Sequence, residues 1–220
     1  MNIDFENNGY LVVRDFFSEE AISILKTYYD LKYRFINSDE KIRSEYHTSD
    51  SDIANGLRFE YDFLTESILM IYGKKMSEIL ELNLAPTYTY TRIYEKGNIL
   101  YPHNDRPSCE ISATCPIFIS DDRASTIYIS KYKVGEYNLP GYSIVYPYTE
   151  YKIPGEYVQV DLMPGDVMFY KGIEHYHWRE PLESEQLVQF FMHAVQVDGQ
   201  YSDYVFDKRP YMGFPNLSYE

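Results

Sequence analysis

The spacing of apolar residues changes from helical to strand-like near residue 86. Before that point, two stretches carry apolar side chains at helical intervals, one opening at Ser18 and the other running from Thr65 or Glu66 to about Leu82. Ser18 is followed by two glutamates, which is typical of a helix N-cap and a first helical turn. We therefore predict two helices that brace the outside of a sheet.

From residue 86 onward, short runs rich in Thr, Tyr, Ile and Val alternate with turn residues, as half-buried strands do. Many strands after two helices predict a mainly β chain of the α+β kind, an antiparallel double-sheet barrel with the helices outside. The predicted strands cover residues 9–13, 87–94, 109–119, 126–129, 157–160, 167–170 and 187–197.

The chain has no internal repeat and no linker, so we expect one domain over residues 1–220. A polar stretch at 37–58 predicts a loop, and residues 131–156, rich in Gly, Pro and Tyr, predict a hairpin or insert. We expect both to cover a pocket. Residues 198–220 have no clear period and are expected to lie over the surface. The predicted parts are helical support (1–85), jelly-roll core (86–197) and C-terminal extension (198–220).

Charge and cysteine content exclude several classes of partner. A net charge of −14 without a basic run argues against binding of nucleic acid or of an anionic membrane, and favours a neutral or cationic substrate. No apolar stretch is long enough to span a membrane, and the N-terminus is too polar for a secretory signal. Cys109 and Cys115 share a face of one predicted strand but lie too far apart to bond. They predict free buried thiols and a cytoplasmic location.

One pair of residues suggests metal chemistry. His103 and Asp105 are separated by one residue, so on an extended strand both side chains point to the same face. His177 follows a predicted turn and strand, and supplies a third ligand if the fold returns it to this face. Two imidazoles and one carboxylate on one side of an ion leave positions open for O₂ at Fe(II). The pair alone is a weak signal, since most histidines are structural.

The surrounding residues strengthen the pattern. Tyr94, Gly97 and Pro102 precede the His103-x-Asp105 pair, and His177 is followed by Trp178, Arg179, Glu180 and Pro181. Over roughly residues 8 to 197 the chain resembles the Fe(II)- and 2-oxoglutarate-dependent oxygenases, nearest to the prolyl 4-hydroxylase-like group. The resemblance implies a double-stranded β-helix, a jelly roll of two sheets, with Fe(II) bound by His103, Asp105 and His177.

The same resemblance implies 2-oxoglutarate as co-substrate, chelating the iron through its keto-acid end. Reaction with O₂ would release succinate and CO₂ and hydroxylate an unactivated C–H bond of a small molecule, an amino acid or a peptidyl residue. Halogenating relatives lack the carboxylate that Asp105 provides, so its presence favours hydroxylation or a related oxidation. A non-catalytic jelly-roll domain that binds or senses a metal is the alternative. The sequence indicates no oligomeric state.

The far carboxylate of 2-oxoglutarate needs a cation and usually a hydroxyl. The family often places Lys or Arg on the strand after the second His, but position 187 is Leu, and no Lys or Arg occurs between Arg179 and Lys208. Tyr94 and Arg179 are therefore our first candidates for this role. Arg92 is close behind, and Arg106 is expected to contact co-substrate or substrate. For each arginine, a structural salt bridge is the competing interpretation.

Two other histidines leave alternatives open. His175 competes with His177 for the third ligand position, because the two share a strand face. We prefer His177 for the residues that follow it. His193 lies in the last predicted strand, where it either faces the barrel interior or is an ordinary buried histidine bonded to a neighbour.

Overall fold

Helices lie mainly in the first third of the chain. The computed structural model describes residues 1–46, 56–121, 123–136 and 156–214. Ser18 caps the second helix by accepting a hydrogen bond from the Ala21 amide, as predicted. The fourth helix begins at Phe63, ahead of the predicted start at Thr65 or Glu66, because the Asp62 carboxylate accepts a hydrogen bond from the Leu64 amide. No helix in the described ranges is both long and apolar enough to cross a bilayer. The helices are α1 (Ile3–Asn8), α2 (Glu19–Ile36), α3 (Glu40–Tyr46) and α4 (Phe63–Leu80).

Ten strands within the described residues form two antiparallel sheets. They are β1 (Tyr10–Val13), β2 (Leu57–Glu60), β3 (Leu84–Glu95), β4 (Leu100–His103), β5 (Ile111–Ile119), β6 (Ser125–Lys133), β7 (Tyr157–Leu162), β8 (Val167–Tyr170), β9 (His175–Arg179) and β10 (Gln186–Gln196). The larger sheet has the order β1-β8-β5-β10-β3-β2, and the smaller one β4-β9-β6-β7. This architecture confirms the predicted mainly β fold class. The division into a single domain stays a prediction.

The two faces of the larger sheet have different partners. Because side chains alternate along a strand, β10 sends Phe190 and Met192 into the core shared with α2 and α4, and sends Gln189 and His193 to the opposite face. That inner face meets the smaller sheet through a second apolar cluster, formed by Ile127, Ile129, Val160, Leu162, Met168 and Tyr170. The polar inner positions of the larger sheet therefore lie between the two sheets.

The predicted loop at 37–58 is wrong in two places. Residues 40–46 form α3, because the Asp39 side chain accepts from the Lys41 amide and the Tyr46 ring packs 5.8 Å from Phe59. Residues 57–60 form β2 at the edge of the larger sheet. Residues 47–55 lie outside the described residues, as do 137–155, so the expectation that these stretches cover a pocket remains a prediction.

The C-terminal extension was expected on the surface, and this is wrong for part of it. Ser202–Lys208 form a turn segment that contains Asp207 and is followed by Arg209. These two residues are only 8% and 7% exposed. Arg209 Nη2 donates to Glu66 Oε1 at 2.6 Å, and both side chains are 3% exposed. Tertiary ion pairs, which leave no periodic pattern in the sequence, fix this segment.

The strand predicted at 109–119 begins two residues later in the structure than predicted. Pro107–Cys109 form a short 3-10 turn, and β5 starts at Ile111. Cys109 and Cys115 are therefore not on one strand, but both are buried and unpaired as predicted.

Candidate metal centre

Strands β4 and β9 place two histidines side by side. His103 and His177 are register partners, and their ring centroids lie 4.4 Å apart. Asp105 follows β4, and its Oδ1 lies 3.6 Å from His103 Nε2 and 3.5 Å from His177 Nε2. One donor atom from each of the three residues lies within 4.8 Å of the other two. The three side chains predicted to converge are thus brought together.

Both imidazole rings are oriented by backbone carbonyls. His103 Nδ1 lies 2.8 Å from the Tyr101 carbonyl oxygen, and His177 Nδ1 lies 3.1 Å from that of His175. A carbonyl oxygen only accepts, so Nδ1 donates in each ring, which leaves Nε2 as the atom that can bind a metal. Both Nε2 atoms face Asp105. This donor arrangement fits a divalent transition metal, whose His ligands are usually oriented in the same way.

The carboxylate of this group is ionised. Burial alone would raise the pKa of Asp105, but the neighbouring His177 and His103 outweigh burial and hold that pKa well below its usual range. The Asp105 amide donates to the Gly172 carbonyl at 2.8 Å, which anchors the backbone behind the carboxylate. A bound dication would replace any proton on the two Nε2 atoms, and the ionised carboxylate would then leave one of its positive charges uncompensated.

A cavity of about 370 Å³ opens onto the three side chains. Its volume is at the lower end of the range for small-molecule sites. Aromatic rings and arginines line it beside the histidines: Tyr88, Tyr90, Phe191, Arg58, Arg92 and Arg106. The cavity can therefore admit a small molecule or a single side chain to the donor atoms.

Neither of the other two histidines belongs to the group formed by His103, Asp105 and His177. His175 Nδ1 lies 2.9 Å from the Ser130 carbonyl oxygen, and its ring packs so closely on Gly9 that a Cβ there would overlap it. His193 does face the interior, where its ring stacks on Tyr88 at 4.6 Å. Burial lowers the pKa of His193 to about 4, although nearby Asp105 opposes this shift.

Arg179 is the most deeply buried of the candidate cations, at 4% exposure. Its Nη1 donates to Ser125 Oγ at 2.7 Å and to the Thr126 carbonyl oxygen at 2.6 Å. Its Nε and Nη2 have no hydrogen-bond partner among the described residues, and none of these residues forms an ion pair with it. Burial lowers the pKa of Arg179, and the adjacent Tyr94 opposes the shift. Tyr94 lines both the cavity at the triad and a second one, of about 370 Å³, that Arg179 also lines.

The other two arginines are engaged differently. Arg106 donates to both carboxylate oxygens of Asp207, at 2.7 and 2.8 Å, and lies 4.4 Å above the Tyr88 ring. For Arg106, the structure thus contains the salt bridge considered as the alternative. Arg92 is 8% exposed, lies 5.0 Å from the Tyr90 ring centroid, and lines the cavity at the triad.

Besides His193, β10 contributes a second buried polar residue, Gln189, that was not predicted from the sequence. Leu187 packs in an apolar cluster with Tyr94 and Leu100. Two residues further on, Gln189 is fully buried; its Nε2 donates to Thr114 Oγ1 at 2.7 Å and its Oε1 accepts from Ser125 Oγ at 3.1 Å. The available signal was the amide side chain of Gln189 among the apolar residues of this strand. Asp207 had no comparable signal.

Comparison with solved structures places the fold. No protein-family model matches the sequence, and no curated protein sequence matches it. The Pseudomonas putida prolyl-4-hydroxylase is 10% identical with a TM-score of 0.54, covering 86% of this chain and 95% of that one. HygX from Streptomyces hygroscopicus, with nickel and 2-oxoglutarate bound, is 11% identical with a TM-score of 0.56, covering 89% and 85%. The 2-oxoglutarate-dependent epimerase SnoN is 12% identical with a TM-score of 0.56, covering 88% and 80%. The chain therefore has the jelly-roll fold of Fe(II)/2-oxoglutarate oxygenases, as predicted.

Proposed function

We propose that this protein is an Fe(II)- and 2-oxoglutarate-dependent dioxygenase. The observation that carries the proposal is the convergence of His103, Asp105 and His177 at the wall of one cavity, with both Nε2 atoms close to one carboxylate oxygen. The jelly-roll fold, shared with solved oxygenases, supports it. The two unpaired cysteines are consistent with the cytoplasmic location that we include in the proposal.

In this proposal the three side chains would hold Fe(II), and a centre with only three protein ligands keeps positions for other ligands. The chemistry that ferrous iron supplies when bound is the use of O₂ to convert 2-oxoglutarate to succinate and CO₂ while a C–H bond becomes C–OH. The protein contributes orientation and exclusion of water. The aromatic lining formed by Tyr88, Tyr90 and Phe191 keeps bulk water from the substrate carbon.

We assign the far carboxylate of 2-oxoglutarate to Arg179, with Tyr94 beside it. Arg179 is buried, and its unused Nε and Nη2 donors match the two oxygens of a carboxylate. Arg92 is the second choice, because it lines the cavity at the triad. Arg106 is a weaker choice, because Asp207 already accepts two of its hydrogen bonds.

Calorimetric titration of 2-oxoglutarate into the Ni²⁺-loaded protein tests the assignment. Losing a buried charge-assisted pair costs about 2–5 kcal/mol, so Arg179→Ala is expected to weaken binding by roughly 30-fold or more. Arg179→Lys keeps the charge but not the fork and is expected to bind with intermediate affinity. Arg34→Ala, which removes an arginine 74% exposed, is the control. A large loss with Arg92→Ala and none with Arg179→Ala would reverse the assignment.

Turnover tests the proposed reaction itself. We expect the protein with Fe(II), 2-oxoglutarate and O₂ to release succinate even without a primary substrate, and His103→Ala to release none. Metal binding without any succinate release would instead support the alternative, a non-catalytic metal-binding or sensing domain. The cavity volume supports a small molecule or a peptidyl side chain as substrate.

A further inference from the structure

The two oxygens of the Asp105 carboxylate have different surroundings. Oδ1 faces the Nε2 atoms of His103 and His177. Oδ2 accepts a hydrogen bond from Ser112 Oγ at 3.1 Å and lies against Gly172, with no room for a side chain at that glycine. One oxygen is therefore left to a metal, and the other is held by the protein.

Ser112 has one hydroxyl proton and several neighbours that can accept it, among them the Tyr170 hydroxyl. Asp105 Oδ2 lies at 3.1 Å, the Cys109 carbonyl oxygen at 3.3 Å, and His193 Nδ1 at 2.9 Å. A carboxylate is the strongest of these acceptors, so the proton belongs on the bond to Asp105. His193 must then donate its Nδ1–H to Ser112 Oγ. The result is a directed relay from His193 through Ser112 to Asp105.

The donor end of this relay is held in place by stacking. The His193 ring stacks on Tyr88 at 4.6 Å, and Tyr88 carries the Arg106 guanidinium on it at 4.4 Å. Arg106 is fixed in turn by Asp207 from the C-terminal segment. Ser112 is fully buried, so water does not compete for its hydrogen bonds. The relay is thus braced from three different parts of the chain.

We infer that Ser112 and His193 are positioning residues of the metal centre, holding Oδ2 so that Asp105 presents Oδ1 alone. The inference deepens the proposed function and rests on it only in taking the triad to bind a metal. A carboxylate that bound through both oxygens would occupy a second position on the ion. Holding Oδ2 keeps that position for the other ligands of the reaction.

A second interpretation of the same residues is a separate metal site. Donor atoms of Asp105, Cys109 and His193 also lie within 4.8 Å of one another. However, His193 Nδ1 is engaged by Ser112, and Cys109 Sγ lies 3.2 Å from the Tyr88 hydroxyl. Hydrogen bonding accounts for their proximity, so we expect one Co²⁺ per chain, and an unchanged affinity in Cys109→Ser. Binding of two Co²⁺ ions per chain would overturn the relay, and so would the loss of a bound Co²⁺ ion in Cys109→Ser.

Cobalt binding to the metal-free protein tests the relay without using turnover. Loss of a group that orients a metal ligand typically weakens metal affinity about 10- to 100-fold, and we expect this of Ser112→Ala in calorimetry with Co²⁺. We also expect its visible Co²⁺ spectrum to change as Asp105 rotates. The control is Thr91→Val, which removes a buried hydroxyl bonded to Tyr29 on the helix side of β3. Wild-type affinity and spectrum in Ser112→Ala would refute the inference.

Two variants of His193 keep the test decisive even if Ser112→Ala does not fold. His193→Phe keeps a ring for the Tyr88 stack but removes the donor, and is expected to weaken Co²⁺ binding less than Ser112→Ala. His193→Asn keeps an N–H near the position of Nδ1 and is expected to restore most of the affinity. Equal Co²⁺ affinity in the wild type, His193→Phe and His193→Asn would overturn the relay. Cobalt binding without succinate release in the wild type would contradict only the proposed function.

Discussion

The closest packing at the metal centre is at Gly172, and adding one methyl group there is a direct test of the site. A Cβ at Gly172 would lie 2.7 Å from the Cys109 carbonyl oxygen and 2.9 Å from Ser112 Oγ, and closer still to Asp105 Oδ2. Ordinary contact begins at 3.4 Å, so the methyl group is 0.7 Å too close to backbone that cannot rotate away. The Asp105 carboxylate must move furthest.

The size of that movement sets the expected loss. Metal–ligand distances in proteins hold to within about 0.2 Å, so a carboxylate displaced by several tenths of an ångström cannot bind together with both imidazoles. We expect Gly172→Ala to weaken Ni²⁺ and Co²⁺ binding at least about 100-fold, as loss of a ligand exceeds the effect of losing its support. Overpacking should also lower the free energy of unfolding by about 1–3 kcal/mol.

Calorimetry with Ni²⁺ measures the first effect, and urea unfolding of the metal-free protein measures the second. Gly73→Ala is the matched control: no atom lies within 4 Å of a Cβ added there, in the middle of α4. Alanine is favoured over glycine in a helix by about 0.5–1 kcal/mol, so this variant should gain stability and bind metal normally. Wild-type metal affinity in Gly172→Ala would refute the placement of Asp105.

Two further predictions concern stability. Burial lowers the pKa of His193 from 6.5 to about 4, so as the pH falls the unfolded chain takes up a proton at this histidine before the folded chain does. The contribution of His193 to the unfolding free energy is therefore present above pH 6.5 and is lost as the pH falls toward 4. Urea titrations of the metal-free protein should show this slope. Burial also lowers the pKa of His175, so part of the slope should remain in His193→Phe, and an unchanged slope in that variant would contradict the prediction. Glu66→Gln should lower the unfolding free energy by about 3–5 kcal/mol, because it leaves the Arg209 guanidinium buried without its counter-charge. Lys74→Ala, which breaks an exposed pair with Glu78, should cost less than about 1 kcal/mol; similar losses in both variants would show that burial is unimportant.

Local chemistry made several elements predictable. The cap at Ser18 and the alternation along β3, β8 and β10 depend on residues a few positions apart, and the structure has these elements close to their predicted bounds. Short-range patterns failed in the polar stretch that contains α3, which was predicted as a loop. This helix is stabilised by packing of Tyr46 on Phe59. The sequence could not weigh such a contact, because its partners lie in different elements.

The candidate site divides in the same way. The motif around His103 and Asp105 could be identified from the sequence, since one-residue spacing and flanking turns are local properties. The residues that follow His177 favoured it over His175 in the sequence, and the strand pairing agrees, because it places His177 opposite His103 while His175 packs against Gly9.

The arginines show what only the tertiary structure decided. In the sequence Arg106 and Arg179 were both candidates, each within two residues of a predicted ligand. The fold brings Asp207 to Arg106 across 101 residues of chain and buries Arg179 with two donors unused. Composition and spacing fixed which chemical groups were available. The electrostatic environment of each group was set by residues distant in sequence, because burial and ion pairing depend on distances in space that no local pattern encodes.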